Sequence, residues 1–106
     1  MIRPALQDDA FLADVAEVRS GKAGAGPHYW WLGQSGYLVH AAGRFLLLDP
    51  YLSDSLTRKY AATDKPHVRM TDRVVDPRRL DFVDVVTASH VHTDHLDPET
   101  LGSLAR

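Results

Sequence analysis

Between His28 and Pro50 short apolar segments alternate with turn-forming residues, and this spacing restricts the chain to few folds. Tyr29-Trp30-Trp31-Leu32 is aromatic and apolar, Gly33-Gln34-Ser35-Gly36 is a turn, and Tyr37-Leu38-Val39 resumes the apolar character. Ala41-Ala42-Gly43 then turns the chain into Arg44-Phe45-Leu46-Leu47-Leu48, which stops at Asp49-Pro50. Segments this short, joined by turns this tight, predict an antiparallel meander of three strands. The third has no period-two alternation and is expected to be buried on both faces. The most β-branched segment, Phe82-Val83-Asp84-Val85-Val86-Thr87-Ala88, predicts a further strand.

Helices flank these strands. Leu6, Phe11, Leu12, Val15 and Val18 share one face at three- and four-residue spacing, predicting a helix over residues 5–19 with Asp8 or Asp9 as N-cap. Ser20-Gly21 stops it, and residues 21–27, with three glycines and a proline, read as a flexible connector. Near the other end, Asp97-Pro98-Glu99 opens a helix with a cap, a proline at the first helical position and an acid in the first turn. Residues 50–81 read mostly as loop, with about two helical turns over 53–60. A stretch this long with little regular structure is often functional.

Composition removes several functional classes. The 106 residues include no cysteine, which excludes disulfide scaffolds, thiolate zinc sites and cysteine nucleophiles together. Twelve basic residues against 14 acidic ones give a net charge of −2, with no field to concentrate nucleic acid or anionic lipid. The longest run of large apolar residues, 45–48, falls far short of the roughly 20 that cross a bilayer. Met1-Ile2-Arg3-Pro4, soon followed by Asp8-Asp9, lacks the pattern of a signal peptide. A soluble, cytoplasmic protein is expected, with neither nucleic acid nor membrane as partner.

The β-branched segment runs directly into Ser89-His90-Val91-His92-Thr93-Asp94-His95, which holds three of the six histidines. With this composition, H-x-H-x-D-H arises by chance in about one such chain in 500. On extended backbone, positions 90 and 92 point to the same side, so two imidazoles can converge on one ion. Where the strand ends and the chain turns, Asp94 and His95 can approach from another direction. Imidazole and carboxylate without thiolate suit zinc, iron(II) or manganese in a hydrolytic site. Solvated histidines in a polar turn are the plainer reading. One histidine would warrant it; three with an aspartate, after a buried strand and before a capped helix, do not.

The string Ser89-His90-Val91-His92-Thr93-Asp94-His95-Leu96-Asp97 resembles the H-x-H-x-D-H signature of the metallo-β-lactamase superfamily of metallohydrolases. Trp31-Leu32-Gly33-Gln34-Ser35-Gly36-Tyr37-Leu38-Val39 and Leu46-Leu47-Leu48-Asp49-Pro50-Tyr51-Leu52-Ser53 resemble the opening strands of one branch. That branch includes L-ascorbate-6-phosphate lactonase-like proteins and, more distantly, N-acyl-phosphatidylethanolamine phospholipase D. The likeness spans residues 28–104. It implies an α+β fold, the N-terminal half of an αββα sandwich, with a mainly antiparallel sheet and flanking helices. Residues 1–27 are then an N-terminal helix and glycine-rich connector, and 28–106 a partial metallo-β-lactamase domain. By the same likeness His90 and His92 bind a first metal, and Asp94 and His95 a second. Water activated there attacks an ester, lactone, amide or phosphodiester, and Asp94 is also the catalytic group that orients the water or handles its proton. Asp49 matches an acid near the metals that orients a ligand imidazole. A turn-forming aspartate before proline accounts for it equally well.

The family site also takes a further histidine, a bridging aspartate and a last histidine from downstream segments. Eleven residues follow His95, none of them histidine, and the acids among them, Asp97 and Glu99, read as helix-start residues. One metal on His90 and His92, helped by Asp94 or His95, is plausible for one copy; a binuclear centre needs further chain. Zinc is expected first, with manganese or iron as alternatives, and a small molecule as substrate. A sheet face rich in Leu, Val and Trp without its partner favours self-association or a complementing chain. The expectation is a truncated hydrolase. The alternatives are a non-catalytic metal-binding or self-associating fragment, and a metal-dependent nuclease.

Other signals are weaker. Gly33-Gln34-Ser35-Gly36-Tyr37 fails the G-x-S-x-G elbow, because Tyr37 stands where a glycine belongs. Gly24-Ala25-Gly26 and Gly21-Lys22 lack nucleotide-binding spacing. Trp30, Trp31 and Tyr37 read as core or sheet packing, and His28, His40 and His67 as surface or turn residues. Arg69, Arg73, Arg78 and Arg79 suggest a phosphate contact, but a solvated loop face is the better account.

Overall fold

The computed structural model describes residues 2–22, 24, 26–33, 35–53, 71–89 and 97–104. Among them the chain is α+β. Its elements are α1 (Asp8–Arg19), β1 (His28–Trp31), β2 (Tyr37–Ala41), β3 (Arg44–Leu48), a 3-10 turn (Pro77–Arg79), β4 (Val85–Thr87) and α2 (Pro98–Ser103).

The strands form one sheet in the order β1-β2-β3-β4. The first three pair antiparallel, as their turns predict, with Trp30 opposite Leu38 and Leu38 opposite Leu47. Ala42 and Gly43 both have positive φ, 52° and 75°, the conformation that a two-residue hairpin needs to match the twist of its strands. Strand β4 adds in parallel to β3, with Leu46 opposite Val85 and Leu48 opposite Thr87, so the sheet is mixed. A parallel neighbour requires a long crossover, and the connection from Asp49 to Asp84 supplies it.

Strand β4 is shorter and wetter than its sequence suggests. Pairing is confined to Val85–Thr87, and all three residues are exposed at the sheet edge. The preceding residues serve packing instead. Val83 is buried, and the Phe82 ring meets Phe45 edge-on at 4.9 Å. Asp84 joins the two strands from both directions: its N–H donates to the Phe45 carbonyl at 2.9 Å, and its carboxylate accepts the Phe45 N–H at 2.8 Å.

One face of the sheet carries Trp30, Leu38 and Leu47, and α1 contributes Phe11, Val15 and Val18 to the same core. Phe11 meets Trp30 edge-on at 6.4 Å, and the Trp30 indole donates to Asp14 at 2.9 Å. Each large side chain buried this way contributes about 1.5–3 kcal/mol. The helix begins later than its periodicity predicts. Gln7, not Asp8 or Asp9, is the N-cap; it makes no side-chain cap bond, and its amide donates to the Arg73 carbonyl at 2.7 Å. Asp8 and Asp9 fall in the first turn, where negative charge complements the helix dipole.

The opposite face is open. Tyr29, Trp31, Tyr37 and Val85 are 65%, 55%, 47% and 45% exposed. They share that face with the half-buried Val39, Leu46 and Leu48. The run Phe45-Leu46-Leu47-Leu48 therefore encodes two packing faces, of which only the Phe45–Leu47 side is fully buried among the described residues. Among them, no helix is long and apolar enough to cross a membrane.

Candidate functional site

Parallel pairing sends β3 and β4 out of the sheet at the same end. Asp49 follows β3 directly, and its N–H donates to the Thr87 carbonyl at 2.8 Å, carrying the ladder one step beyond the strands. Its carboxylate then takes both donors of one residue. Oδ1 accepts the Ser89 N–H, and Oδ2 accepts the Ser89 hydroxyl at 2.7 Å. Ser89 is the residue immediately before His90.

Local backbone geometry makes this tie possible. Asp49 adopts φ +47°, in the left-handed region that aspartate enters more readily than most side chains do. Gly36, at φ +99°, lies against this bend, where a Cβ would stand 2.6 Å from the Asp49 carbonyl oxygen and 3.0 Å from that of Leu48. Position 36 must therefore be glycine on two counts, backbone conformation and space.

The downstream side is capped as predicted. Asp97 precedes α2, and its side chain accepts from the Glu99 and Thr100 N–H groups, with Pro98 at the first helical position. His90, His92, Asp94 and His95, the expected metal ligands, lie outside the described residues. Among the described residues no three His, Asp or Glu side chains gather to hold an ion. The donor set of the motif, three imidazoles and a carboxylate without thiolate, has the chemistry of a divalent-metal site.

Of the two expectations for Asp49, the turn is observed, and the imidazole it was expected to orient lies outside the described residues. Asp49 ends β3 in a turn before Pro50, and it holds the neighbour of the first candidate ligand. Its observed partner is Ser89, a residue to which the sequence reading gave no role. Gly36 was read as a turn former, whereas its closest approach is to a strand end distant in sequence. No local pattern reports such a contact.

The arginines are engaged elsewhere. Arg78 pairs with Asp76 at 2.6 Å, and its hydrogen bonds hold the Asp76 carboxyl down to about 2. Arg79 pairs with Asp9 at 2.6 Å. Arg73 and Arg78 line a small polar cavity, but Asp76 and Glu99 line it too and oppose an anionic ligand there. Arg69 and His67 lie outside the described residues. The His28 ring nitrogen Nε2 stands 3.3 Å from the Gly24 carbonyl oxygen, and the His40 ring lies 4.6 Å from that of Phe45, tilted by 48°, so both have structural neighbours.

A family model described as a beta-lactamase superfamily domain matches residues 29–105, a span that includes all of the four strands but His28, together with Asp49 and the histidine motif. Searches of curated proteins and of solved structures found no match. The chain belongs to the beta-lactamase superfamily, whose members are mostly metal-dependent hydrolases that usually bind divalent metals.

Proposed function

We propose that the chain carries the first part of a metal-dependent hydrolase site, in the L-ascorbate-6-phosphate lactonase-like branch of its superfamily. His90 and His92 would hold a first divalent ion, and Asp94 and His95 would hold a second. Zinc is the first choice, with manganese or iron(II) as alternatives. Such an ion, when bound, lowers the pKa of its water from about 15.7 towards 7 and polarises the bond under attack. Asp94 would orient the attacking water or handle its proton, and the substrate would be a small ester, lactone or phosphorylated compound.

The observation that carries this reading is the tie between Asp49 and Ser89 at the shared end of β3 and β4. It fixes the residue next to His90 against a strand end, as a preorganised ligand segment requires. Residues 28–106 form the functional unit, and a two-metal centre would form only if further or complementing chain supplied the remaining donors. The open face with Tyr29, Trp31 and Tyr37 supports a second layer there. The location is cytoplasmic.

The test is hydrolysis of a lactone, a carboxylic ester and a phosphodiester with zinc or manganese present. Turnover that a chelator abolishes and zinc restores supports the reading. Turnover indifferent to the chelator contradicts it, as does the absence of metal uptake. Salt-sensitive binding of RNA or DNA would favour the nuclease instead.

A further inference from the structure

A cavity of about 400 Å³ lies at the free edge of β1, and the N-terminal segment, residues 2–6, forms one of its walls. That wall is tied down at both ends. Ile2 bridges to Thr71, and its carbonyl accepts the Asp72 N–H at 2.9 Å. On the other side the Gln7 amide donates to the Arg73 carbonyl and the Asp8 N–H to the Val74 carbonyl, both at 2.7 Å. The volume falls in the roughly 300–1,000 Å³ range of small-molecule pockets.

Phe11, Tyr29, Trp30 and Trp31 bring four aromatic side chains to the lining. Phe11 and Trp30 are buried, whereas Tyr29 and Trp31 are exposed. Successive residues of a strand point to opposite faces, so the cavity wraps the edge of β1 and draws rings from both. Among the described residues of the lining, Arg3 alone carries charge. It is exposed and forms no ion pair with the described acids.

An apolar protein surface laid over this cavity would strand the guanidinium without a counter-charge, which is costly. A small carboxylate would pair it, because guanidinium and carboxylate match as a two-bond fork. A ring in that ligand gains edge and offset contacts with aromatic walls, and it loses less rotational freedom on binding than a flexible chain does.

We infer that this cavity binds a small aromatic carboxylate, with Arg3 holding the carboxylate and the aromatic walls taking the ring. Arg3 and the four aromatic residues lie outside the metal motif, so this site stands or falls independently of the hydrolase reading.

Trp30 and Trp31 are the only tryptophans, so tryptophan fluorescence of the full chain reports on the cavity. The probe is phenylacetate, titrated by fluorescence and calorimetry against phenethyl alcohol, which lacks the charge, and cyclohexaneacetate, which lacks the aromatic ring. We expect saturable binding of phenylacetate, tighter than that of either analogue. It should be the same with and without a chelator, which separates this site from a carboxylate held on a metal. Arg3→Gln should weaken phenylacetate about two- to fivefold, the worth of an exposed ion pair, and leave phenethyl alcohol unchanged. Arg19→Gln, an exposed arginine outside the lining, should change neither. Phenylacetate affinity unchanged in R3Q, or weakened equally in R19Q, overturns the inference. So does phenylacetate binding no tighter than cyclohexaneacetate. A chain that dimerises in solution and binds none of the three ligands assigns the cavity to a second copy, and overturns it as well.

Discussion

Gly36 and Asp49 are in backbone contact: a Cβ on residue 36 would lie 2.6 Å from the Asp49 carbonyl oxygen. The contact joins the β1–β2 turn to the end of β3, where Asp49 bends the chain and holds Ser89. Gly36→Ala therefore has no cheap relaxation, because the obstructing atoms are backbone and φ is +99°. It should destabilise the chain by about 1–3 kcal/mol, visible as a lower thermal midpoint. Unchanged stability would mean that the Asp49 bend does not pack as described.

The Asp49 carboxylate predicts a local protection pattern. In Asp49→Ala both Ser89 donors lose their acceptor, and alanine must also hold a left-handed φ of +47°. The cost should be about 1–3 kcal/mol, with Asp49→Asn milder because asparagine tolerates that conformation and keeps one acceptor. Amide hydrogen exchange checks this directly. The Ser89 N–H should exchange slowly in the wild type and fast in D49A; equal rates would deny the bond.

Helix α1 is part of the core rather than an appendage. Phe11 is 1% exposed and meets Trp30 edge-on. Phe11→Ala should cost about 3–5 kcal/mol, and Trp30 should report the same transition in fluorescence. Loss of the helical signal with an undisturbed sheet transition would instead make residues 8–19 an independent element.

Asp76 offers a pH test. Hydrogen bonds from Arg78 lower its carboxyl from 3.8 to about 2, so the pair's contribution is complete above 3.8 and is lost as pH falls through about 2. The Arg78 side chain is 77% exposed, so solvent screens the pair and its contribution to stability is small. NMR titration of the Asp76 carboxyl should give a midpoint near 2. A midpoint near 3.8 would show that the pair does not persist in solution.

Local chemistry made half of this fold readable before any coordinates. The Ala42-Gly43 turn dictates the β2–β3 hairpin, and Asp97-Pro98-Glu99 marks the start of α2 within a few residues. Long-range relationships were not readable. Nothing near residue 85 announces a parallel partner in β3, and the β-branching of 82–88 mixes core packing by Val83 with the exposed pairing of Val85–Thr87. Gln7, the N-cap of α1, donates its amide to the Arg73 carbonyl, a partner invisible to helical periodicity. The histidine motif was legible as chemistry, and the long-range ties beside it in sequence were not. Ser89 meets Asp49 and Ser53 meets Asp97 across 40 and 44 residues of sequence.

The claim that His90 and His92 bind metal is tested most directly by metal content per chain, in the wild type and in the double variant His90→Ala, His92→Ala. The account predicts a bound divalent ion in the wild-type chain and none in the variant, with the far-UV signal of the strands retained. Metal content unchanged by the double substitution would contradict it.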